Sequence, residues 1–264
     1  TIPDEPRIQA YMGIIDNQNR INNINDDFND YEGPITIELR GNTSQDQPKK
    51  PYRFETVDSK GENNNVSLLD LPKENDWILH GPYSDKTLIR NNLTFFLSRE
   101  MGNYSPRSIY CELFIENDYR GVYMLTEKIK RDKNRVNIKE IEDGDLTGGY
   151  IIKIDKLTDS PENSSWCSNM TNFNNDPICF QYHYPKADEI TLDQKYYIEN
   201  YINEINTLIK DLARYQTNID LIENIEFTSF IDYMIISELS KNVDGYRLST
   251  FLYKDSDENN GKLN

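Results

Sequence analysis

Two adjacent lysines in a strand-like run, Lys49-Lys50-Pro51-Tyr52-Arg53-Phe54, are the first residues whose types and spacing suit chemistry. Alternation predicts Lys50, Tyr52 and Phe54 on one face, with Lys49 and Arg53 on the other. An ammonium on an apolar face needs an anion or a cleft, because burying it unpaired is prohibitive. A phosphate-binding lysine meets that need; an edge-strand lysine that keeps a sheet soluble is the plainer reading of the pattern. Arg90, in Ser84-Asp85-Lys86-Thr87-Leu88-Ile89-Arg90-Asn91-Asn92, falls beside an apolar helical stripe. There its guanidinium either grips a carboxylate or phosphate with two bonds or simply lies on the helix surface. Glu127 ends the run Gly121-Val122-Tyr123-Met124-Leu125-Thr126-Glu127-Lys128, as a ligand-orienting group or a satisfied strand end. The sharpest feature is Glu238-Leu239-Ser240-Lys241-Asn242-Val243-Asp244-Gly245-Tyr246. An apolar helix stops, Asn242 and Asp244 follow in a loop, and a strand leads away. A loop carboxylate on such a scaffold suits a general base or metal ligand, although Asn and Gly also end helices for backbone reasons.

The elements that must hold these groups follow from hydrophobic periodicity. Alternation predicts strands over residues 7–16, 34–39, 49–57, 108–115, 120–129, 149–154, 179–184 and 248–253. A period near 3.6 predicts helices over residues 84–101, 193–213 and 227–239. In the first helix Ser84 or Asp85 is the expected cap, and Leu88, Ile89, Leu93, Phe96, Leu97 and Met101 the buried stripe. The layout is α+β, strand-rich first and helix-rich second. The most polar, least periodic stretch, residues 158–177, marks the division between a half at 1–157 and a half at 158–264.

Composition removes several function classes. The chain has 264 residues, with 29 Lys plus Arg against 45 Asp plus Glu and a formal charge of −16. That surface repels phosphate backbones and anionic lipids and favours basic partners, so no nucleic acid partner is expected. No apolar run approaches the ~20 residues needed to span a bilayer. The two histidines, His80 and His183, are far apart and there is no Cys-x-x-Cys, which argues against a His/Cys zinc site. Cys111 reads as a buried thiol, whereas Cys167 and Cys179 flank an Asn-rich insert across which they could pair. No pair of acids stands out as a glycosidase would require.

Six segments in order, over roughly residues 35–253, resemble the spore-coat protein H (CotH) family of atypical kinase-like proteins. They are the run into Leu39-Arg40-Gly41-Asn42-Thr43-Ser44, Lys49-Lys50-Pro51-Tyr52, Asp85 through Asn91, Gly121 through Glu127, Tyr184-Pro185-Lys186-Ala187-Asp188, and Asn242-Val243-Asp244-Gly245-Tyr246. The resemblance implies one atypical protein-kinase-like bilobal domain, an antiparallel-rich sheet lobe followed by a helical lobe. It implies ATP and Mg²⁺ bound between the lobes, and phosphoryl transfer to Ser or Thr of a protein. Lys50 corresponds to the strand lysine, with Lys49 as its substitute. Arg40, Asn42 and Ser44 stand in the phosphate-covering turn, and Thr126, Glu127 and Lys128 at the adenine-side connection. Asp244 takes the place of the catalytic Asp, and Arg90 that of a lobe-organising or phosphate-side arginine.

There are two departures. The ordinary kinase signatures G-x-G-x-x-G, H-R-D and D-F-G are absent. The family's Gly-Pro-x-Trp-Asp-Phe motif, with its metal-binding Asp, is not reached before Asn264. A piece cut at the C-terminus, without metal ligands of its own and inactive by itself, is the resulting expectation. The family setting implies a secreted or bacterial cell-envelope protein acting on a protein substrate or coat protein, and the net charge of −16 suits a basic one. A non-catalytic assembly module with the same fold is the alternative.

Overall fold

The computed structural model describes residues 1–142, 144–158, 160–172, 174–215 and 219–264. The chain divides into two compact units, Thr1–Phe96 with Ser105–Ile129, and Leu97–Tyr104 with Lys130–Asn264. The architecture is α+β, as the sequence predicts.

The first unit is built on a six-stranded antiparallel sheet. Its strands are β1 (Ile8–Ile14), β2 (Tyr31–Leu39), β3 (Tyr52–Thr56), β6 (Asp76–His80), β7 (Ser108–Ile115) and β8 (Asp118–Glu127). The order across the sheet is β1-β2-β3-β6-β8-β7, and a small hairpin of β4 (Val66–Leu68) and β5 (Leu71–Glu74) is separate. Register explains the core. Ile37 faces Phe54, Phe54 faces Trp77, and Trp77 faces Glu127, so these four side chains form one row on one face. Tyr52, Leu79 and Leu125 form the next row. Phe54 and Trp77 are almost wholly inaccessible, and Leu68 and Leu71 add to the same cluster. β6 escapes an alternation search because Trp77, Ile78 and Leu79 are all buried, both faces being covered.

Helix α1 (Arg90–Glu100) starts later than periodicity predicts. Leu88 has φ of 64°, a left-handed conformation that a helix interior excludes. The Asp85 carboxylate closes the preceding turn instead, accepting from the Thr87 N–H at 3.0 Å and the Arg90 N–H at 2.9 Å. The expected buried stripe is also corrected: α1 has no buried residue, and Ile89, Leu93 and Phe96 are about half exposed.

The second unit joins a four-stranded antiparallel sheet to three helices. Its strands are β9 (Tyr150–Ile154), β10 (Ser165–Thr171), β11 (Pro177–Tyr184) and β12 (Thr250–Lys254), in the order β10-β11-β9-β12. β10 lies within the polar stretch that shows no periodicity. Cys167 faces Cys179 in the β10–β11 register, and the two form a disulfide. Trp166 stacks on Phe180 and Tyr182 with ring centroids 5.3 and 4.7 Å apart. α2 (Leu192–Tyr215) begins with a reciprocal capping box, in which Gln194 N–H donates to Thr191 Oγ1 at 3.3 Å and Thr191 N–H to Gln194 Oε1 at 2.9 Å. Ile198, Ile202 and Ile205 then turn one face onto Tyr150, Ile152 and Phe180. α3 (Ile219–Asn224) and α4 (Phe227–Ser240) follow.

Candidate functional site

The two lysines singled out in the sequence come together at one cavity of about 330 Å³ in the first unit. Pro48, Lys49, Lys50, Tyr52, Tyr83, Tyr119, Arg120 and Tyr123 line it. Three cations and four phenol rings meet there with no carboxylate in the lining. Lys49 donates to the Val122 carbonyl, and its ammonium lies 4.8 Å from the centre of the Tyr123 ring. Burial lowers its pKa from the ordinary lysine value. Lys50 precedes β3 rather than sharing its inward face, so the parity argument does not hold. Its ammonium donates to the Gln45 carbonyl, while the Tyr123 hydroxyl fixes the Lys50 carbonyl at 2.9 Å. Tyr123 thus orients both lysines, one with its ring and one with its hydroxyl. Burial raises the Tyr123 phenol pKa, which keeps that donor protonated.

Arg120 is the functional residue that sequence reasoning missed. In the β7–β8 ladder Leu113 pairs with Gly121 but Phe114 pairs with Tyr119, so Arg120 is the extra residue of a bulge. Gly121 takes φ of 88°, which only glycine adopts without strain. The signal available in advance was an Arg-Gly pair interrupting an otherwise alternating strand.

The Arg40–Ser44 turn is tight. Gly41 has φ of 92°, and a Cβ there would meet Ser44 Oγ at 2.1 Å. Thr43–Asp46 continues as one 3₁₀ turn, and Lys50 anchors it through Gln45. Arg40, Asn42 and Ser44 sit in this turn but do not line the cavity.

The remaining candidates lie elsewhere. Glu127 is fully buried on the core face of β8, with Arg107 Nη2 at 2.8 Å and the Arg107 N–H at 2.9 Å, so it is a satisfied strand end. Thr126 donates to the Arg107 carbonyl at 3.1 Å, and Lys128 pairs with Asp76 at 2.9 Å. Arg90 is 71 % exposed with Asp85 at 3.8 Å, a surface residue at a helix start.

Asp244 belongs to the second unit. α4 ends in a Schellman turn, the Lys241 N–H reaching the Glu238 carbonyl and the Asn242 N–H the Ser237 carbonyl. Lys241, not a glycine, holds the left-handed position at φ of 52°. Asn242 Oδ1 accepts from the Asp244 N–H at 3.2 Å, and Arg247 Nη2 pairs with the exposed Asp244 carboxylate at 2.8 Å. Tyr246 and Ser249 also have positive φ, 71° and 51°. Three strained non-glycine residues within this short loop mark it as a place where backbone geometry is over-determined by its surroundings.

No group of three or more His, Cys, Asp or Glu side chains able to hold a metal ion occurs among the described residues. No described helix is long and apolar enough to cross a membrane.

No curated protein matches the chain. The model of the family described as CotH kinase protein matches residues 37–264, a span that includes both lysines, the Arg120 bulge and the Asp244 loop. On that match the chain belongs to the CotH kinase protein family.

Proposed function

We propose that this chain is a kinase-like phosphotransferase domain that moves the terminal phosphoryl group of ATP to a Ser or Thr hydroxyl of a protein. One observation carries the reading: a cavity whose charged lining is Lys49, Lys50 and Arg120, all cationic. Such a lining suits a polyphosphate, whose negative charge offsets the repulsion between the two lysines and Arg120, although Asp118 already pairs with Arg120 at 3.0 Å. The tyrosine rings beside them offer apolar faces to the rest of a nucleotide. By its place in the family's pattern, Asp244 is the carboxylate assigned to accept the proton of the attacking hydroxyl. The hydroxyl oxygen bonds to the γ-phosphorus, the bond to the β–γ bridging oxygen breaks, and ADP departs with that electron pair. The Arg40–Ser44 turn serves as a phosphate-side loop. A bilobal arrangement, with the two units as its sheet and helical lobes, is part of this proposal. Magnesium is the expected metal, but no ready-made donor cluster for it exists among the described residues, so no step is assigned to it. An extracellular or envelope setting fits the disulfide between Cys167 and Cys179.

ATP binding should raise the melting temperature of the protein, by about 2.7 kcal/mol of stability at a hundredfold excess over Kd. Lys49→Ala, Lys50→Ala and Arg120→Ala should each weaken that shift, whereas Asp244→Asn should keep it and abolish labelled phosphate transfer. A protein stabilised by ATP but unable to transfer phosphate would point to the binding-module reading. That reading is favoured by the pairing of Asp244 with Arg247. The absence of any ATP shift would overturn the phosphotransferase reading and leave the non-catalytic assembly module standing.

A further inference from the structure

A second cavity, of about 340 Å³, opens along one side of α2 in the second unit, and neither the phosphate-side lysines nor the Asp244 loop contributes to it. Its walls are the Tyr196, Tyr197 and Tyr201 side chains with Leu146, and its charged groups are Asp193 and Glu204. This lining is opposite in sign to the first cavity. No cation lines it, and neither carboxylate has an ion-pair partner among the described residues. Tyr196 is 72 % exposed, an unusual place for a large ring on a helix that buries its opposite face.

The same ring set already holds one ammonium. Lys254, completely inaccessible, lies 5.3 Å from the Tyr197 ring centre and 4.9 Å from that of Tyr201. Its charge is met by Asp257 at 2.8 Å and by two carbonyls, those of Thr147 at 2.6 Å and Asp255 at 3.1 Å. Tyr197 and Tyr201 are thus cation-accepting rings in this fold, and the free carboxylates flank them on the open side.

We infer that this groove docks an extended basic segment of the acceptor protein, with two Lys or Arg side chains set by the Asp193–Glu204 spacing. The two acids lie about three turns apart on α2, roughly 16 Å along the axis. An extended chain covers that in about five residues. Only residues an even number apart share a face of an extended chain, so a segment with basic residues at positions one and seven, roughly 20 Å apart, presents one to each carboxylate through its long side chains, and its backbone passes over Tyr196 and Asn200. The chain's net charge of −16 draws such a segment in from a distance. The inference rests on the phosphotransfer reading only in calling the partner an acceptor; the docking itself needs no ATP.

The test is fluorescence anisotropy without nucleotide, using a labelled peptide with two arginines and five small polar residues between them. Binding should appear at low salt and weaken steeply at high salt. Asp193→Asn with Glu204→Gln should weaken it about tenfold, with an unchanged melting temperature because both side chains are exposed. Tyr196→Ala should weaken it as well, and Glu204→Lys should restore affinity for a peptide whose second arginine is replaced by glutamate. Lys49→Ala and Asp244→Asn should bind the peptide as the wild type does, so loss of phosphotransfer leaves this inference standing. Equal binding by the doubly neutralised protein, indifference to arginine spacing, or capture of a β-linked hexasaccharide in place of the peptide would each overturn it.

Discussion

The His80 ring stands at the end of β6, where Asn91 Nδ2 approaches its Nε2 at 3.2 Å. Burial, reinforced by the charges of Arg40 and Lys49, lowers its pKa from 6.5 to about 4, against a smaller opposing pull from Asp85. The folded protein keeps the imidazole neutral between those two values, while the unfolded chain takes up a proton. Stability contributed by this ring is complete above about pH 6.5, declines as pH falls toward 4, and levels off below. The full effect is about 3 kcal/mol at most. Urea midpoints at neutral and mildly acidic pH, compared between wild type and His80→Asn, isolate the contribution; an equal pH dependence in both would remove His80 as its source. At this scale the sequence was partly legible. Lys49 and Lys50 could be singled out because adjacent charges in an apolar run need an explanation. Arg120 left only the Arg-Gly pair that interrupts its strand as a signal, since the bulge itself is a property of two strands. Glu127 has its partner in Arg107, twenty residues away and so not announced by the local sequence.

Elements were legible wherever one face is buried and the other wet. β2, β3, β7 and α2 fall close to their expected places for that reason. β6 and β10 fail the test from opposite directions, the first buried on both faces and the second largely polar. β10 is instead held through its neighbour, by the Cys167–Cys179 bond and by Trp166 on Tyr182. That makes a measurable difference: replacing both cysteines by serine should cost roughly 2–3 kcal/mol through the greater freedom of the unfolded chain. The readout is the urea midpoint with and without reductant. Identical midpoints in the wild type would show that the β10–β11 pairing does not depend on the bond. α1 is the converse lesson, because its apolar spacing is real yet Ile89, Leu93 and Phe96 remain half exposed. Periodicity reports what a helix can bury, not what it does bury.

At the scale of the whole molecule, the family match agrees with the resemblance that six short segments carry. The chain passes from one compact unit to the other after Phe96, Tyr104 and Ile129. β9, which belongs to the strand-rich half of the sequence, pairs with β11 and β12 of the second unit. Strand partnership of this kind is set by residues far along the chain, and composition shifts such as that at residues 158–177 do not report it. Opposite charges are also sorted between the two cavities, cations in the first unit and acids in the second. A net count of −16 conceals that arrangement.

Lys254 gives the second unit an internal clock. With no accessible surface and every proton of its ammonium committed, it is shielded from amine-reactive reagents while the fold is closed. Its ε-amine should acylate only during opening events, far more slowly than exposed lysines such as Lys60. Peptide mapping after timed acylation would then read the opening frequency of this region directly. Prompt modification at Lys254 would mean that the tyrosine-lined chamber around it breathes freely.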